Sequence, residues 1–349
     1  MVSPLLICSY EDRPEAMDSV ILMGESLCRV DTRVCLHLTV PEAPASVRAW
    51  AKSRPQVALS TARPKGVSGW DVKPWLLLQE LNAGATEALW LDTDIVATRP
   101  ISGFLNELLH DSFIVAEEWN RPEPMHLSHL WELPPGRPVP PVNSCFLRAT
   151  RAHRRLLERW LEMTHEPRYR QAQALPFERR PFHLASDQVL LTALLGSAEF
   201  NQVTMDCIRI GPHIAQCAGS SGYRPGHRLL DLVRGLPPLI HCIGRKPWEP
   251  TGNQSRIQRF LLDLATDVSP YSLAARKVAR GLGMSPPWLD ARTSLGAALR
   301  GVTGHHPGMA GLPLAILHSV PIKMGQLMVF TKRNVRDDNS RHLSSPKQI

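Results

Sequence analysis

The chain has no pair of cysteines spaced for a zinc site or a redox couple. Cys8, Cys28, Cys35, Cys145, Cys207, Cys217 and Cys242 are scattered, odd in number and free of any CxxC. That argues against a disulfide framework and fits a reduced, cytoplasmic setting. The start, Met1–Tyr10, has no basic leader, and its apolar run stops at Glu11 and Asp12. It is too short for a signal peptide and reads as a buried first strand. No long hydrophobic run survives elsewhere, because Met309–Ile322 is broken by Pro313 and Pro321 and ends at Lys323. Such a stretch is too short and interrupted for a membrane span. Internal repeats are also absent, which removes solenoids and propellers.

Acidic residues are scarce in one place only. Residues 268–349 hold 11 Lys and Arg against 3 Asp and Glu, whereas residues 1–267 hold 29 of each. The net charge of +8 therefore belongs to the tail and says little about the ligand of the main part. No nucleic-acid partner is expected. With 349 residues, 43% hydrophobic and 21% charged, the chain can bury one large core plus an appendage.

Short apolar runs alternate with helix-like stretches in the first hundred residues. Pro4–Cys8, Val34–Val40, Val57–Ser60 and Ala88–Leu91 read as strands. Glu15–Cys28, Ala45–Ser53 and Lys73–Leu81 read as helices between them. This order predicts an α/β fold with a doubly wound, mostly parallel sheet flanked by helices. Farther on, Phe113–Ala116, Val142–Leu147 and Leu236–Ile243 read as strands, and Ala152–Met163 and Asp187–Leu195 as helices. Between them lies a proline-rich loop, 121–141.

The strand at 88–91 runs into Asp92-Thr93-Asp94. Ligands of open α/β sheets collect outside the carboxyl ends of strands, so these two acids are placed for a site. Paired carboxylates suit a hard cation, Mn²⁺ or Mg²⁺, that also carries phosphate oxygens. Spacing alone leaves loop capping equally open. A second cluster, His241 to Trp248, follows the apolar strand Leu236–Ile240: His241 can complete a metal shell, Gly244 allows close backbone approach and Lys246 can neutralise a diphosphate. Alone, His241 reads as a structural histidine.

Taken together, these segments resemble the family-8 retaining glycosyltransferases, the group of glycogenin and the lipopolysaccharide galactosyl- and glucosyltransferases. Ser9-Tyr10 with Val20–Leu27 is similar to the family's first strand and its "vLg-SL" helix, and Lys73-Pro74-Trp75 to its lysine-led helix. Leu91-Asp92-Thr93-Asp94-Ile95-Val96 resembles "LDADxxV". Asn143-Ser144-Cys145-Phe146 resembles "NSGvF", with Cys145 in place of glycine, and Asp187-Gln188 the following "DQ". His241 to Trp248 resembles "HfxGxxKPW", one residue shorter before Lys246.

The resemblance covers about residues 3–250 and implies a GT-A fold and metal-dependent transfer of a hexose from a nucleotide-diphosphate sugar, UDP-linked, with retention. It implies a glycan or lipid-linked acceptor and a part in polysaccharide biosynthesis. Asp92, Asp94 and His241 would hold Mn²⁺ or Mg²⁺, and Lys246 would meet the diphosphate, with Arg245 as its substitute. Lys73, Asn143, Asp187 and Gln188 would face the donor sugar, Asp187 and Gln188 at the reacting centre. Tyr10 would stack on the base, with an ordinary loop aromatic as its other reading, and Asp187 has a helix-capping alternative.

Three segments are expected: a nucleotide-sugar-binding catalytic part at 1–267, a basic helical extension at 268–331 and a polar, disordered tail at 332–349. On a helix, Tyr271, Ala275, Val278 and Leu282 share one face and Arg276, Lys277 and Arg280 the other, with Leu273 out of pattern. That is the design of an interfacial helix on an anionic membrane, a peripheral position on the cytoplasmic face, or of a helix packed on the catalytic part. Two other functions use the same residues. Asp92-Thr93-Asp94-Ile95-Val96 fits a phosphatase DxDxV motif, which needs a later acidic pair, for which only Asp337-Asp338 offers itself. A non-catalytic nucleotide-sugar-binding protein would keep the motifs without turnover.

Overall fold

A computed structural model describes residues 4–120, 123–219, 222–252 and 254–319. Its strands are β1 (Leu5–Tyr10), β2 (Val34–Thr39), β3 (Val57–Ser60), β4 (Glu87–Leu91), β5 (Ile95–Ala97), β6 (Phe113–Glu117), β7 (Val142–Thr150), β8 (Met205–Ile208), β9 (Ile214–Cys217) and β10 (Leu239–Cys242). Seven form the central sheet in the order β3-β2-β1-β4-β7-β6-β8. β1 runs parallel to β2 and β4, β2 to β3, and β6 to β8, while β7 is antiparallel to both of its neighbours. The mixed α/β sheet flanked by helices is the architecture that the alternating runs predicted.

Apolar residues alternate across this sheet as the pleat requires. On β4, Trp90 joins Val72, Leu77, Phe113, Trp160 and Leu190 on one face, beneath the helices Val72–Asn82, Arg154–Thr164 and Asp187–Leu195. Leu89 and Leu91 join Ile7, Val20, Leu36, Phe104 and Phe146 on the other, against the helix Met17–Val30. Each such side chain contributes roughly 1.5–3 kcal/mol on burial. Both faces are covered, so the ligand-accessible places are the strand ends.

Three strand ends converge on one edge. β1 runs out into Glu11 and Asp12, β4 into Asp92 and β6 into Glu118, and antiparallel β7 begins there with Val142 and Asn143. A second, three-stranded sheet, β5-β10-β9, closes this edge. β5 pairs antiparallel with β10, setting His241 opposite Ile95, and the Cys242 N–H donates to the Asp94 carbonyl at 3.0 Å. This pairing brings the two motif clusters together from 147 residues apart in the chain.

The helix at Pro270–Gly281 corrects one expectation. Its apolar face is turned inward: Tyr271 and Ala275 are fully buried with Val96 and Ile240, partly buried Val278 packs beside them, and partly buried Leu282 packs on the core that holds Val20 and Leu27. These four residues are not open to a membrane. Arg276, expected on the solvent face, is buried and paired with Asp267 at 3.2 Å. It also donates to the carbonyls of Asp267, Trp288 and Asp290, which satisfy the guanidinium and make its burial tolerable. Among the described residues no helix is long and apolar enough to cross a membrane. Residues 320–331, the tail at 332–349 and Asp337-Asp338 lie outside the described residues.

Candidate active site

The converging strand ends line a cavity of about 1010 Å³. Tyr10, Lys73, Asp92, Asp94, Asn143, Asp187, Gln188, His241 and Lys246 all line it, so these nine motif residues meet in one place. Asp92, Asp94 and His241 each offer a ligand atom within 4.8 Å of the others. Asp94 Oδ1 lies 3.4 Å from His241 Nε2. Asp94 Oδ1 and His241 Nδ1 are buried without a hydrogen-bond partner. Two carboxylates and an imidazole with polar atoms left over form a donor set that fits Mn²⁺ or Mg²⁺.

Two lysines balance the acids. Lys246 Nζ sits 3.0 Å from Asp94 Oδ2. Lys73, only 3% exposed, lies 3.2 Å from Asp92 Oδ1 and 3.3 Å from Asp187 Oδ2 and donates to the Ser144 hydroxyl at 2.7 Å. That hydroxyl in turn donates to Asp187 at 2.7 Å, and the Trp90 indole donates to Asp92 at 2.6 Å. Burial works against a charged Asp94, yet Lys246 and His241 outweigh it and hold the carboxyl far below the usual range. Burial dominates at Asp92 and raises it, with Lys73 opposing. The two acids are thus unequal: Asp94 is the firm anion.

Arg245 does not share the place of Lys246. Its guanidinium turns outward to Asp263 at 2.8 Å and to Thr251 and the Glu249 carbonyl. The shortened motif has kept Lys246, not Arg245, over the acids. Cys145 stands where the resembling motif has glycine, and it does not line the cavity. Its side chain is fully buried beneath the sheet, and burial raises the thiol while neighbouring His241 draws it down. Asp187 is the first residue of its helix, and Ser186 holds the cap position.

Three residues around these motifs escaped the sequence reading. Glu118 accepts from Asn143 Nδ2 at 3.1 Å and Gln188 Nε2 at 3.0 Å, tying two expected sugar-facing amides to one buried carboxylate. Glu11 accepts from the Thr93 hydroxyl at 2.7 Å and from Arg13 at 2.8 Å, so Thr93 anchors the loop between the two metal-capable acids. Both glutamates follow strands, and the strand-end rule that flagged Asp92 would have flagged them. Asp71 is the third. Burial pushes its carboxyl up to about 6, although Tyr169 donates to it at 2.7 Å.

No family model matches the chain, and no curated protein matches it. Among solved structures it is similar to the glycosyltransferase GlyE of Streptococcus pneumoniae TIGR4, with 12% identity over 84% of this chain and 66% of that one, and a TM-score of 0.45. It is similar to the bifunctional glycosyltransferase WbbM at 12% identity, over 75% of this chain and 52% of that one, with a TM-score of 0.47. The galactosyltransferase LgtC, in complex with donor and acceptor sugar analogs, is 14% identical over 81% of this chain and 98% of that one, with a TM-score of 0.48. The chain spans just under two thirds of GlyE and about half of WbbM. At such identities and TM-scores no residue role passes from these proteins to this one. The chain is similar to glycosyltransferases of known structure, and the roles of its residues rest on its own geometry.

Proposed function

We propose that this protein is a metal-dependent glycosyltransferase that moves a hexose from a nucleotide-diphosphate sugar to a glycan or lipid-linked acceptor. One observation carries the reading: a three-residue metal-capable cluster shares its cavity with the buried Lys73, the partly buried Lys246 and a buried carboxylate, Asp187. A departing diphosphate needs positive charge on its oxygens, while the sugar it leaves becomes cation-like and needs an anion nearby. The cavity provides both. The choice of a uridine nucleotide and of retention rests on the motif resemblance.

In this reading Asp92, Asp94 and His241 hold Mn²⁺ or Mg²⁺, which as a Lewis acid stabilises charge on the leaving diphosphate. Lys246 contacts the diphosphate, and Tyr10 lies against the base. Lys73 orients Asp187 and Asp92, and Asn143 and Gln188, braced by Glu118, face the sugar. Asp187 faces the charge that develops at the anomeric carbon. Residues 1–267 carry all of this, since no cavity-lining residue falls beyond Lys246. Residues 268–331 make up the extension, whose helix Pro270–Gly281 backs the β5-β10-β9 sheet, and 332–349 the polar tail. Seven free cysteines suit a cytoplasmic setting.

The test is a thermal-shift screen of nucleotide sugars with and without Mn²⁺, followed by the same screen on Asp94→Ala. A selective, Mn²⁺-dependent shift that is lost in Asp94→Ala supports the reading. Binding that ignores metal in both proteins overturns the metal assignment, and no shift with any nucleotide sugar overturns the transferase reading.

A further inference from the structure

Among the described residues four of the Trp, Tyr and Phe side chains are exposed: Trp70 at 46%, Phe177 at 53%, Phe182 at 38% and Phe260 at 44%. Three of the four line the active-site cavity, although they come from separate short turns, Gly69–Asp71, Phe177–Arg179 and Phe182–Leu184. Aromatic rings are normally buried for their large apolar area, so rings left open around one cavity mark a binding surface. We infer that Trp70, Phe177 and Phe182 form a saccharide-stacking platform that receives a sugar ring of the acceptor. The inference rests on the glycosyltransferase reading and narrows its acceptor to a glycan.

The platform is preformed. Trp70 and Phe177 meet at 87° with ring centroids 6.3 Å apart, so they make two walls of a corner, and each keeps about half its surface open. Arg180 lies 5.7 Å from the Phe177 ring. It is fixed by donating to the carbonyls of Gln173, Leu175 and Ala185 and to the Gln173 side chain, which locks the turn carrying Phe177. Gly69, with φ at +56°, sets the turn beside Trp70, and its N–H donates to Asp12.

Position and chemistry select the occupant. Phe182 and Ala185 lead straight into Ser186 and Asp187, so this wall adjoins the carboxylate at the proposed reacting centre. An alkyl chain would leave the polar rim of Asp71, Gln173 and Arg180 unmatched. A pyranose offers both chemistries: C–H groups that lie on an aromatic face and hydroxyls that reach the rim. A ring held on the platform would place its neighbour near Asp187, which requires an acceptor of at least two sugars.

The experiment uses the full chain with UDP and Mn²⁺, labelled with 5-fluorotryptophan and titrated with neutral disaccharides (lactose, maltose, cellobiose, chitobiose), with n-octanol as the apolar probe. Trp70→Ala, Phe177→Ala and the conservative Phe177→Tyr are measured alongside, as are their thermal shifts with UDP and Mn²⁺ alone. The proposal expects a disaccharide to shift the fluorine signal that Trp70→Ala identifies as that of Trp70, and Phe177→Ala to weaken this binding about 3- to 10-fold. Phe177→Tyr should bind as the parent does, and the UDP–Mn²⁺ shift should be unchanged throughout. It is overturned if no disaccharide binds while UDP does, if octanol alone binds, or if Trp70→Ala abolishes the UDP shift and so places Trp70 on the nucleotide. Failure of UDP to bind the parent protein would instead count against the glycosyltransferase reading, leaving the platform to be judged on the disaccharides.

Discussion

Lys246 Nζ lies 3.0 Å from Asp94 Oδ2, while Asp94 Oδ1 faces His241 Nε2 at 3.4 Å. One carboxylate is therefore shared between an ammonium and the metal-capable cluster, and the ammonium opposes a divalent cation there. A diphosphate that draws Lys246 to itself would relieve that repulsion, so metal and donor should bind cooperatively. Lys246→Met is expected to tighten Mn²⁺ alone by about tenfold while weakening transfer by roughly 10- to 1000-fold. Mn²⁺ titration by EPR without donor reads the first effect. Unchanged or weaker Mn²⁺ binding in Lys246→Met would show that Lys246 does not compete.

Glu118 is the acceptor for both Asn143 and Gln188, and it is buried. Asn143 and Gln188 both donate to Oε2 and the Trp119 N–H donates to Oε1, so replacing it by Gln leaves at least one of these donors facing an amide nitrogen. Loss of a charge-assisted hydrogen bond costs about 1.5–3 kcal/mol, so Glu118→Gln should lower kcat by roughly 10- to 100-fold. Donor KM should change less, since in the proposed reading the metal and Lys246 would hold the diphosphate elsewhere. Wild-type turnover in a folded Glu118→Gln protein would confine the network to a structural role.

Gly24 explains a motif position by packing. A Cβ built there would stand 2.2 Å from the Trp50 ring, whose indole donates to Glu25 at 3.0 Å. The ring is rigid and pinned, so it cannot yield as a flexible side chain would. Gly24→Ala should destabilise the protein by about 1–3 kcal/mol through overpacking, despite alanine's better helix propensity. Denaturant unfolding measures this, and a stabilised variant would mean that Trp50 moves freely.

Much of the fold could be read because its strands are continuous apolar runs: β1, β2, β4 and β7 lie where Pro4–Cys8, Val34–Val40, Ala88–Leu91 and Val142–Leu147 were expected. The small sheet could not. β5 has three residues and directly follows Asp94, so no periodicity separates it from a loop, yet its pairing with β10 is what sets His241 beside Asp94. Motif resemblance supplied that neighbourhood; pattern alone did not. Arg276 shows a different limit. Helical periodicity assigns a residue to a face, but whether a layer packs there depends on Asp267 and the carbonyls of Trp288 and Asp290, which are distant in sequence pattern. Trp70 and Phe177 sit in three-residue turns, where no repeat exists to reveal a shared surface.

The last prediction concerns acid stability. His153 is buried at the start of the helix Arg154–Thr164, and its Nδ1 accepts the Thr150 N–H at 3.0 Å, closing a capping box. Burial, reinforced by the Arg148 charge, lowers its pKa to about 4 from the ordinary value near 6.5. The folded state thus needs the neutral ring, whereas the unfolded chain takes up a proton below pH 6.5. Between these values the unfolded state binds more protons, so stability rises with pH there; the contribution is complete above 6.5 and is lost as pH falls toward 4. His153→Gln keeps a side-chain acceptor for the box and cannot titrate. Its Tm should be lower than that of the parent at pH 7.5, since Gln lacks the ring that packs against Phe113 at 5.3 Å between centroids. From pH 6.5 down to pH 4.5, however, the parent should lose Tm more steeply, and the gap between the two should narrow. Parallel Tm curves across that window would show that His153 does not carry the acid sensitivity.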